Sequence, residues 1–268
     1  MKTPVSDNQT TKLLWTGGWD STFRLLQLLL LERRAVVPYY LIDADRASTG
    51  AEMKAMKDIK TRLFRECPGT RGLLHRVEYM EVGDIEPDSE ITAAFRAVVE
   101  KGHLGSQYDW LARFCRQQGL GDIELCIHRD DKAHRVLESF VLERCVEGRT
   151  TYTLDISRAP PQECSLFRYF RFPLFHVSKL EMAAAARTQD WSRFLNMTWF
   201  CHHPTARHKP CGTCQPCLYT IEEGLGWRIP WSRRVAAKLQ RALFKPLRRT
   251  RKALGRGLTR RLRASRAS

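Results

Sequence analysis

The sequence predicts an α/β protein built on a parallel sheet with helices on both faces, and three observations support this. Short apolar or β-branched segments alternate with segments of helical periodicity as far as residue 145. The first apolar segment runs into a pair of glycines, and a helical pattern follows at once. After Pro160 and Pro161 the alternation stops, and a cysteine cluster follows. The cluster indicates a smaller second domain.

The elements follow from the residue types of each segment. β-branched, apolar and aromatic runs predict strands at 12–16, 36–43, 73–82 and 122–128, with a further strand-like run at 167–175. Apolar residues at helical spacing predict helices at 21–34, 51–66, 88–101, 107–118, 132–145 and 178–188. Asp88 or Ser89 is the expected cap of one helix, and Gly119 ends another.

Length and charge suggest three parts, at residues 1–157, 158–230 and 231–268. The chain has 268 residues, enough for one large domain and a smaller one. Of the net charge of +16, the stretch 231–268 holds 14 Arg and Lys and no Asp or Glu, so the other 230 residues carry only +2. The longest apolar run, 25–31, is shorter than the roughly 20 residues that cross a bilayer.

The stretch from Leu14 to Thr22 reads Leu-Trp-Thr-Gly-Gly-Trp-Asp-Ser-Thr, between a predicted strand and a predicted helix. Two glycines let the backbone turn sharply and bring N–H groups close to an anion. The following helix adds the positive end of its dipole. We therefore predict a nucleotide-binding loop formed by Thr16, Gly17, Gly18, Trp19, Asp20, Ser21 and Thr22.

Hydroxyl and carboxylate groups in this loop suit phosphate chemistry. Ser21 and Thr22 can donate to phosphate oxygens, and Asp20 can hold Mg²⁺ between phosphates. No Gly-x-x-x-x-Gly-Lys-Ser/Thr motif occurs, so this is not a Walker-type loop. A plain strand–helix turn would explain the two glycines alone. The adjoining Asp-Ser pair favours the nucleotide-binding interpretation.

Four cysteines, Cys201, Cys211, Cys214 and Cys217, follow a Cys-x9-Cys-x2-Cys-x2-Cys pattern. Thiolates at this spacing can share one tetrahedral Zn²⁺, so the pattern predicts a closed structural zinc site. Disulfides or free core thiols are the alternatives. Residues 1–11 lack the apolar centre of a secretory signal, and the expected cytoplasmic location disfavours disulfides.

The first motif resembles the Ser-Gly-Gly-x-Asp-Ser motif of PP-loop ATP pyrophosphatases, with Thr16 in place of the first serine. Together with the cysteine array it is similar to 7-cyano-7-deazaguanine synthases of queuosine biosynthesis. The segments 172–179 (Phe-Pro-Leu-Phe-His-Val-Ser-Lys) and 198–201 (Thr-Trp-Phe-Cys) also resemble that family, and the likeness covers residues 12–227. The resemblance implies a Rossmann-like domain, a small helical zinc domain and a homodimer.

The resemblance also implies a reaction. ATP activates a 7-deazaguanine carboxylate with release of pyrophosphate, ammonia forms the amide, and a second activation gives the nitrile. Asp20 and Ser21 are then catalytic, and Lys179 supports a phosphate or the adenylate. A solvated helix residue is the alternative for Lys179.

Two segments depart from the family pattern. Residues 124–132 read Glu-Leu-Cys-Ile-His-Arg-Asp-Asp-Lys where the family has a Tyr-Pro-Asp-Cys-Arg segment, and Asp43-Ala-Asp-Arg46 replaces Tyr-Gly-Gln. Another carboxylic acid, joined to an amine or a protein, therefore stays open as substrate. The end of a predicted strand is a common ligand position. The residues there are candidates for substrate or Mg²⁺, with a solvated turn as the alternative: His128, Arg129, Asp130 and Asp131.

These patterns predict an ATP-dependent, carbon–nitrogen bond-forming ligase that releases AMP. One alternative is a tRNA-modifying PP-loop enzyme whose cysteines hold an iron–sulfur cluster. Another is a nucleotide-binding scaffold anchored by its tail.

The basic tail, 231–268, repeats apolar residues at helical spacing between its arginines, beginning with Trp231, Val235 and Leu239. Such a helix can lie on an anionic membrane surface or contact nucleic acid. A disordered solubilising tail is the third alternative.

Overall fold

The computed structural model describes residues 10–102, 104–237 and 239, and the chain forms two compact units, Met1–Phe200 and Cys201–Ser268. The first unit contains seven strands: β1 (Thr10–Leu14), β2 (Ala35–Ile42), β3 (Glu78–Glu81), β4 (Ile123–Glu124), β5 (Val141–Val146), β6 (Arg149–Leu154) and β7 (Phe170–Arg171). They form one sheet in the order β3-β2-β1-β4-β7-β6-β5.

Five of these strands run parallel. β1 pairs with β2 from Thr10–Ala35 to Leu14–Tyr39, and the β2–β3, β1–β4 and β4–β7 pairs are parallel as well. β6 is antiparallel to both β7 and β5. The predicted α/β class with a mostly parallel, Rossmann-like sheet is therefore confirmed. The carboxyl ends of β1, β2 and β4 open towards the same edge, where the loops that follow them gather.

The described residues of the first unit also form eight α-helices: α1 (Trp19–Leu26), α2 (Thr49–Glu66), α3 (Ser89–Lys101), α4 (Gln107–Gln117), α5 (Lys132–Leu137), α6 (Pro161–Phe167), α7 (Lys179–Thr188) and α8 (Ser192–Leu195). A π-helical turn, Gln27–Leu31, extends α1. Leu13 of β1, Trp15 of the segment between β1 and α1, and Leu25 of α1 are fully buried, and they anchor this connection in the core.

The helix predicted at 132–145 is wrong beyond Leu137. The chain leaves α5 and enters the β5–β6 hairpin, whose strands pair from Val141–Leu154 to Val146–Arg149. Its two-residue turn, Glu147 and Gly148, has positive φ angles of 52° and 75°, which is the type I′ geometry that suits the twist of paired strands. The threonines of β6 favour a strand because β-branched side chains pack well on a pleated surface.

Other predicted elements exist with different bounds. β3 and β4 are shorter than the runs at 73–82 and 122–128, and the run at 167–175 contributes only Phe170–Arg171 as a strand. That strand belongs to the sheet, and the first compact unit extends to Phe200. The division at residues 157 and 230 stays a prediction.

The second unit contains α9 (Gln215–Glu222), a 3₁₀ turn at Gly226–Arg228, and a helical stretch at 231–237. The predicted tail continues beyond residue 239, outside the described residues. No helix in the described part of the chain combines the length and apolarity needed to cross a membrane.

Candidate functional site

The glycine turn after β1 is held in a tight conformation. Gly17 has φ +67°, and a Cβ placed on it would lie 2.9 Å from the Cγ of Met56 and 3.0 Å from the carbonyl oxygen of Glu52. Any side chain at this position would meet both strain and a collision with α2. The backbone N–H of Trp199 donates to the Gly17 carbonyl at 2.9 Å and fixes the turn from the other side.

Hydroxyl groups line the inside of this turn. The Ser21 Oγ accepts from the Thr16 backbone N–H, and the Thr16 Oγ1 accepts from the Gly18 N–H, both at 3.4 Å. These are long contacts, and each hydroxyl keeps its own proton for donation to a ligand. Thr22 differs, because it is fully buried and accepts a 3.0 Å bond from the indole of Trp15. Its hydroxyl stabilises the turn from the core side.

Asp20 lies in the first turn of α1 and faces two residues that are distant in sequence. Its Oδ2 is 3.7 Å from the His128 Nε2 and 3.9 Å from the Lys179 Nζ. Its other oxygen, Oδ1, is buried and has no hydrogen-bond partner among the described residues. A carboxylate oxygen left in this state is a suitable ligand for a hard cation.

His128 is buried, and its ring orientation is fixed by the loop after β4. The backbone N–H of Asp130 donates to the His128 Nδ1 at 3.2 Å. In the neutral ring the proton therefore sits on Nε2, the nitrogen that faces Asp20. The carboxylate of Asp130 accepts the Lys179 backbone N–H at 3.0 Å, which joins this loop to the start of α7.

The start of α7 is set by a complete capping box. Ser178 accepts from the Glu181 backbone N–H, and the Glu181 carboxylate accepts from the Ser178 N–H at 2.6 Å. This bond from the Ser178 backbone holds the pKa of Glu181 below its usual range. Arg129 reaches the same turn, donating to the His176 carbonyl and pairing with Glu181. Lys179 is thereby held at the first position of its helix.

A buried carboxylate on α2 stabilises the neighbouring loop after β2. Glu52 accepts bonds from the Tyr40 hydroxyl at 3.0 Å and the Ser48 hydroxyl at 2.6 Å. Burial, and then the charge of Glu52, raise the pKa of Tyr40. Arg46 lies 3.7 Å from both Glu52 and Asp43. Asp43 and Arg46 of the Asp43-Ala-Asp-Arg46 segment therefore form an internal network with Glu52, rather than an open pocket of acids.

The four predicted cysteines of the second unit converge. The Sγ atoms of Cys211 and Cys217 are 3.9 Å apart and those of Cys201 and Cys214 are 3.8 Å apart, and all four lie within 4.8 Å of one another. Four sulfurs bound to one ion at about 2.3 Å would stand roughly 3.8 Å from each other in a tetrahedron. The donor set therefore fits a single tetrahedral metal ion.

Backbone N–H groups and shared protons favour thiolates at this cluster. The N–H groups of Thr213 and Cys214 donate to the Cys211 Sγ at 3.4 and 3.3 Å, and the Cys211 N–H donates to the Cys201 Sγ at 3.2 Å. Side-chain bonding with Cys201 lowers the pKa of Cys214 and raises that of Cys217. Backbone donors to the sulfur atoms and a lowered thiol pKa both favour the thiolate form that binds metal ions.

The structure brings most of the predicted loop residues together in the first unit and the four predicted cysteines together in the second. Thr16, Gly17, Gly18, Asp20, Ser21 and Lys179 lie together in the first unit, whereas Trp19 and Thr22 are buried beneath the turn. Asp131 accepts the Ala133 N–H and caps α5, and no contact joins it to Asp20, His128 or Lys179 among the described residues. The Glu52 network was missed, and its one signal was the unusual Asp43-Ala-Asp-Arg46 segment.

No protein-family model and no curated protein sequence matches this chain. Among solved structures, the fold is similar to that of the U34-tRNA thiolase NcsA from Methanococcus maripaludis, described with its [4Fe-4S] cluster. The two are 13% identical, the match covers 90% of this chain and 74% of the other, and the TM-score is 0.40. At this identity and TM-score, the likeness does not indicate the activity of this chain.

Proposed function

We propose that this protein is an ATP-dependent ligase of the PP-loop type, which activates a carboxylic acid as its adenylate and transfers the acyl group to ammonia or an amine. The observation that carries the proposal is the meeting of Asp20, His128 and Lys179 beside the glycine turn at the N-terminus of α1. Asp20 is more than a hundred residues away in sequence from both His128 and Lys179, and together they would offer an acid, an imidazole and an amine to a ligand at this turn.

The turn suits the phosphates of ATP. Gly17 and Gly18 leave no side chain between the backbone and a ligand, and the helix N-terminus directs N–H groups towards it. Thr16 and Ser21 add hydroxyl donors. Lys179, at the start of α7, supplies positive charge to the same place. These groups would stabilise the negative charge that develops on pyrophosphate as it departs.

The reaction needs only these groups and its substrates. A carboxylate oxygen attacks the α-phosphorus of ATP, the α–β anhydride bond breaks, and pyrophosphate leaves. Ammonia or an amine then adds to the acyl carbon, gives up a proton to water and displaces AMP. The His128 Nε2 is placed to stabilise Asp20 through its N–H. Mg²⁺ held by Asp20 would neutralise phosphate charge during the first step.

The cysteine cluster suits Zn²⁺ in a structural role. Cys201, Cys211, Cys214 and Cys217 would complete its tetrahedral shell and close the fold of the second unit. Metal analysis of purified protein tests this: we expect one zinc per chain, lost in Cys214→Ser and kept in Cys164→Ser, a free thiol of the first unit. Stoichiometric iron and sulfide would contradict the zinc proposal and favour a tRNA-modifying enzyme.

The substrate is best tested by product analysis. AMP and pyrophosphate release from ATP and Mg²⁺ would be measured with a panel of carboxylic acids, including 7-carboxy-7-deazaguanine with ammonia. Stimulation by that acid, with nitrile formed, would support the deazaguanine synthase reaction. Stimulation by another acid would keep the ligase and change its substrate.

A matched pair of variants separates the site from general damage to the fold. Asp20→Ala should abolish pyrophosphate release, whereas Asp122→Ala should keep it, because Asp122 is exposed and pairs only with Arg171 in the described structure. No release of AMP with any acid, amine or RNA would overturn the ligase proposal and support a nucleotide-binding scaffold.

A further inference from the structure

An apolar cleft opens in the second unit, between α9 and the chain that follows it. Its volume is about 470 Å³, and Leu218, Ile221, Trp227, Trp231 and Val235 line it. Aliphatic side chains of α9 form one wall, and the two tryptophans and Val235 form the other. The proposed ligase reaction uses none of these residues.

Large apolar side chains are exposed at this cleft and further along the chain. Trp227 is 56% exposed, Trp231 is 72% exposed and Leu239 is 59% exposed. Trp231 and Val235 lie four residues apart in the helical stretch 231–237, which places them on one face of it, and Leu239 continues the same spacing in the sequence. Single exposed apolar residues are ordinary on a protein surface, but a group of them next to an apolar cleft marks a binding surface.

A positively charged side chain, that of Arg234, also belongs to this cleft. Arg234 lines it, and the Arg234 Nε is buried without a hydrogen-bond partner among the described residues. A buried guanidinium N–H in this state is stabilised by an anionic oxygen. From Trp231 onwards the sequence contains 14 Arg and Lys and no Asp or Glu, so the whole segment is complementary to a negative surface.

We propose that this surface, formed by Trp227, Trp231, Arg234, Val235 and Leu239, binds the face of an anionic lipid bilayer. Tryptophan rings favour the boundary between headgroups and acyl chains, and arginine pairs with lipid phosphate. Nucleic acid bases would stack on the two tryptophan rings, but the aliphatic side chains of Leu218, Ile221 and Val235 offer them no stacking face and suit an acyl chain. The lipid surface therefore fits this cleft better than RNA or DNA does.

Vesicle flotation of the full chain tests the proposal. We expect the protein to float with vesicles that contain phosphatidylglycerol and to stay in solution with pure phosphatidylcholine vesicles. Trp231→Ala should weaken partitioning roughly tenfold to a hundredfold, as expected for losing the burial of a large apolar side chain. The matched control is Tyr79→Ala, an exposed aromatic of the edge strand β3 that should change nothing.

A second measurement does not depend on any variant. Lipids brominated near the headgroup should quench tryptophan fluorescence of the wild-type protein in phosphatidylglycerol vesicles, because quenching requires an inserted ring. Arg234→Gln should reduce binding to these vesicles and leave the quenching of the bound fraction.

Three results would overturn the proposal. One is equal flotation of wild type and Trp231→Ala, and another is the absence of quenching. The third is binding of an RNA oligonucleotide that excludes vesicles and requires Trp231, which would assign the surface to nucleic acid.

Discussion

Asp20 and Arg24 are one helical turn apart on α1, and their surroundings are opposite. Arg24 is buried and donates to Glu124 at 2.7 and 2.8 Å, and it pairs with Glu32 at 2.5 Å. Burial alone would lower the pKa of Arg24, but the bond to Glu124 and the charges of both acids raise it. Asp20 has contacts of 3.7 Å and longer, and one of its oxygens has no partner among the described residues.

This difference in contacts distinguishes a residue that stabilises the fold from a residue that can bind a ligand on the same helix. A buried charge whose hydrogen-bonding groups are occupied holds neighbouring elements together and leaves no capacity for a ligand. An acid with long contacts and a free oxygen contributes little to folding and can bind a cation. We therefore assign Arg24 to stability and Asp20 to chemistry, and the variants below test that division from the largest effect to the smallest.

Glu124→Ala should cause the largest loss. It leaves Arg24 buried without its two-bond partner, and breaking a buried pair in this way costs about 3–5 kcal/mol. Denaturant unfolding of Glu124→Ala and of Asp122→Asn would measure it, the latter being an exposed acid two residues upstream. A loss similar to that of Asp122→Asn would contradict a structural role for the network.

Asp20→Asn should give the reverse result. The rate of ATP cleavage should fall about 10²- to 10³-fold, the size expected when a group that stabilises transition-state charge is lost. Its free energy of unfolding should change by less than about 1 kcal/mol, since its ion contacts are long. The division between Asp20 and Arg24 fails if Asp20→Asn unfolds as readily as Glu124→Ala.

Gly17→Ala tests the turn that precedes both residues. The φ of +67° and the approach to Met56 predict a loss of about 1–3 kcal/mol in unfolding free energy. Gly18→Ala is the control, because Gly18 has φ −76° and its nearest neighbour would be the flexible Thr16 hydroxyl at 3.2 Å. Equal effects of the two substitutions would show that the turn is not constrained at Gly17.

The smallest effect concerns acid stability. Hydrogen bonds from Arg62, and further bonds from Arg65 and Arg193, lower the pKa of Glu66 to about 2. A depressed folded-state pKa contributes stability above the unfolded value of about 4.5 and loses it as pH falls towards 2. Glu66→Gln should therefore flatten the decline in stability between these pH values. Identical acid unfolding curves for the variant and wild type would contradict this role of Glu66.

Local patterns were predictable from sequence, and contacts between distant segments were not. The glycine turn and the cysteine cluster each lie in one short stretch, and both form as expected. The family resemblance indicated Lys179 as a candidate, but only the structure shows that it lies beside Asp20. The Arg24–Glu124 pair joins residues a hundred positions apart, and neither residue type signals the other in the sequence.

The β5–β6 hairpin shows a different limit. Residues 132–145 carry a plausible helical pattern, but pairing with β6 and the Glu147–Gly148 turn stabilise a strand over its second half. Propensity is a weak guide where tertiary pairing decides the outcome. The Glu-Gly pair and the β-branched threonines that follow it are the sequence signal for the hairpin.

Calorimetric titration with ATP and Mg²⁺ tests the central claim most directly, comparing wild type with Asp20→Asn and Asp122→Asn. Our account predicts Mg²⁺-dependent binding at a single site in wild type and Asp122→Asn, and its loss in Asp20→Asn. Unchanged binding by Asp20→Asn, or no binding by wild type, would contradict the assignment of this turn to ATP.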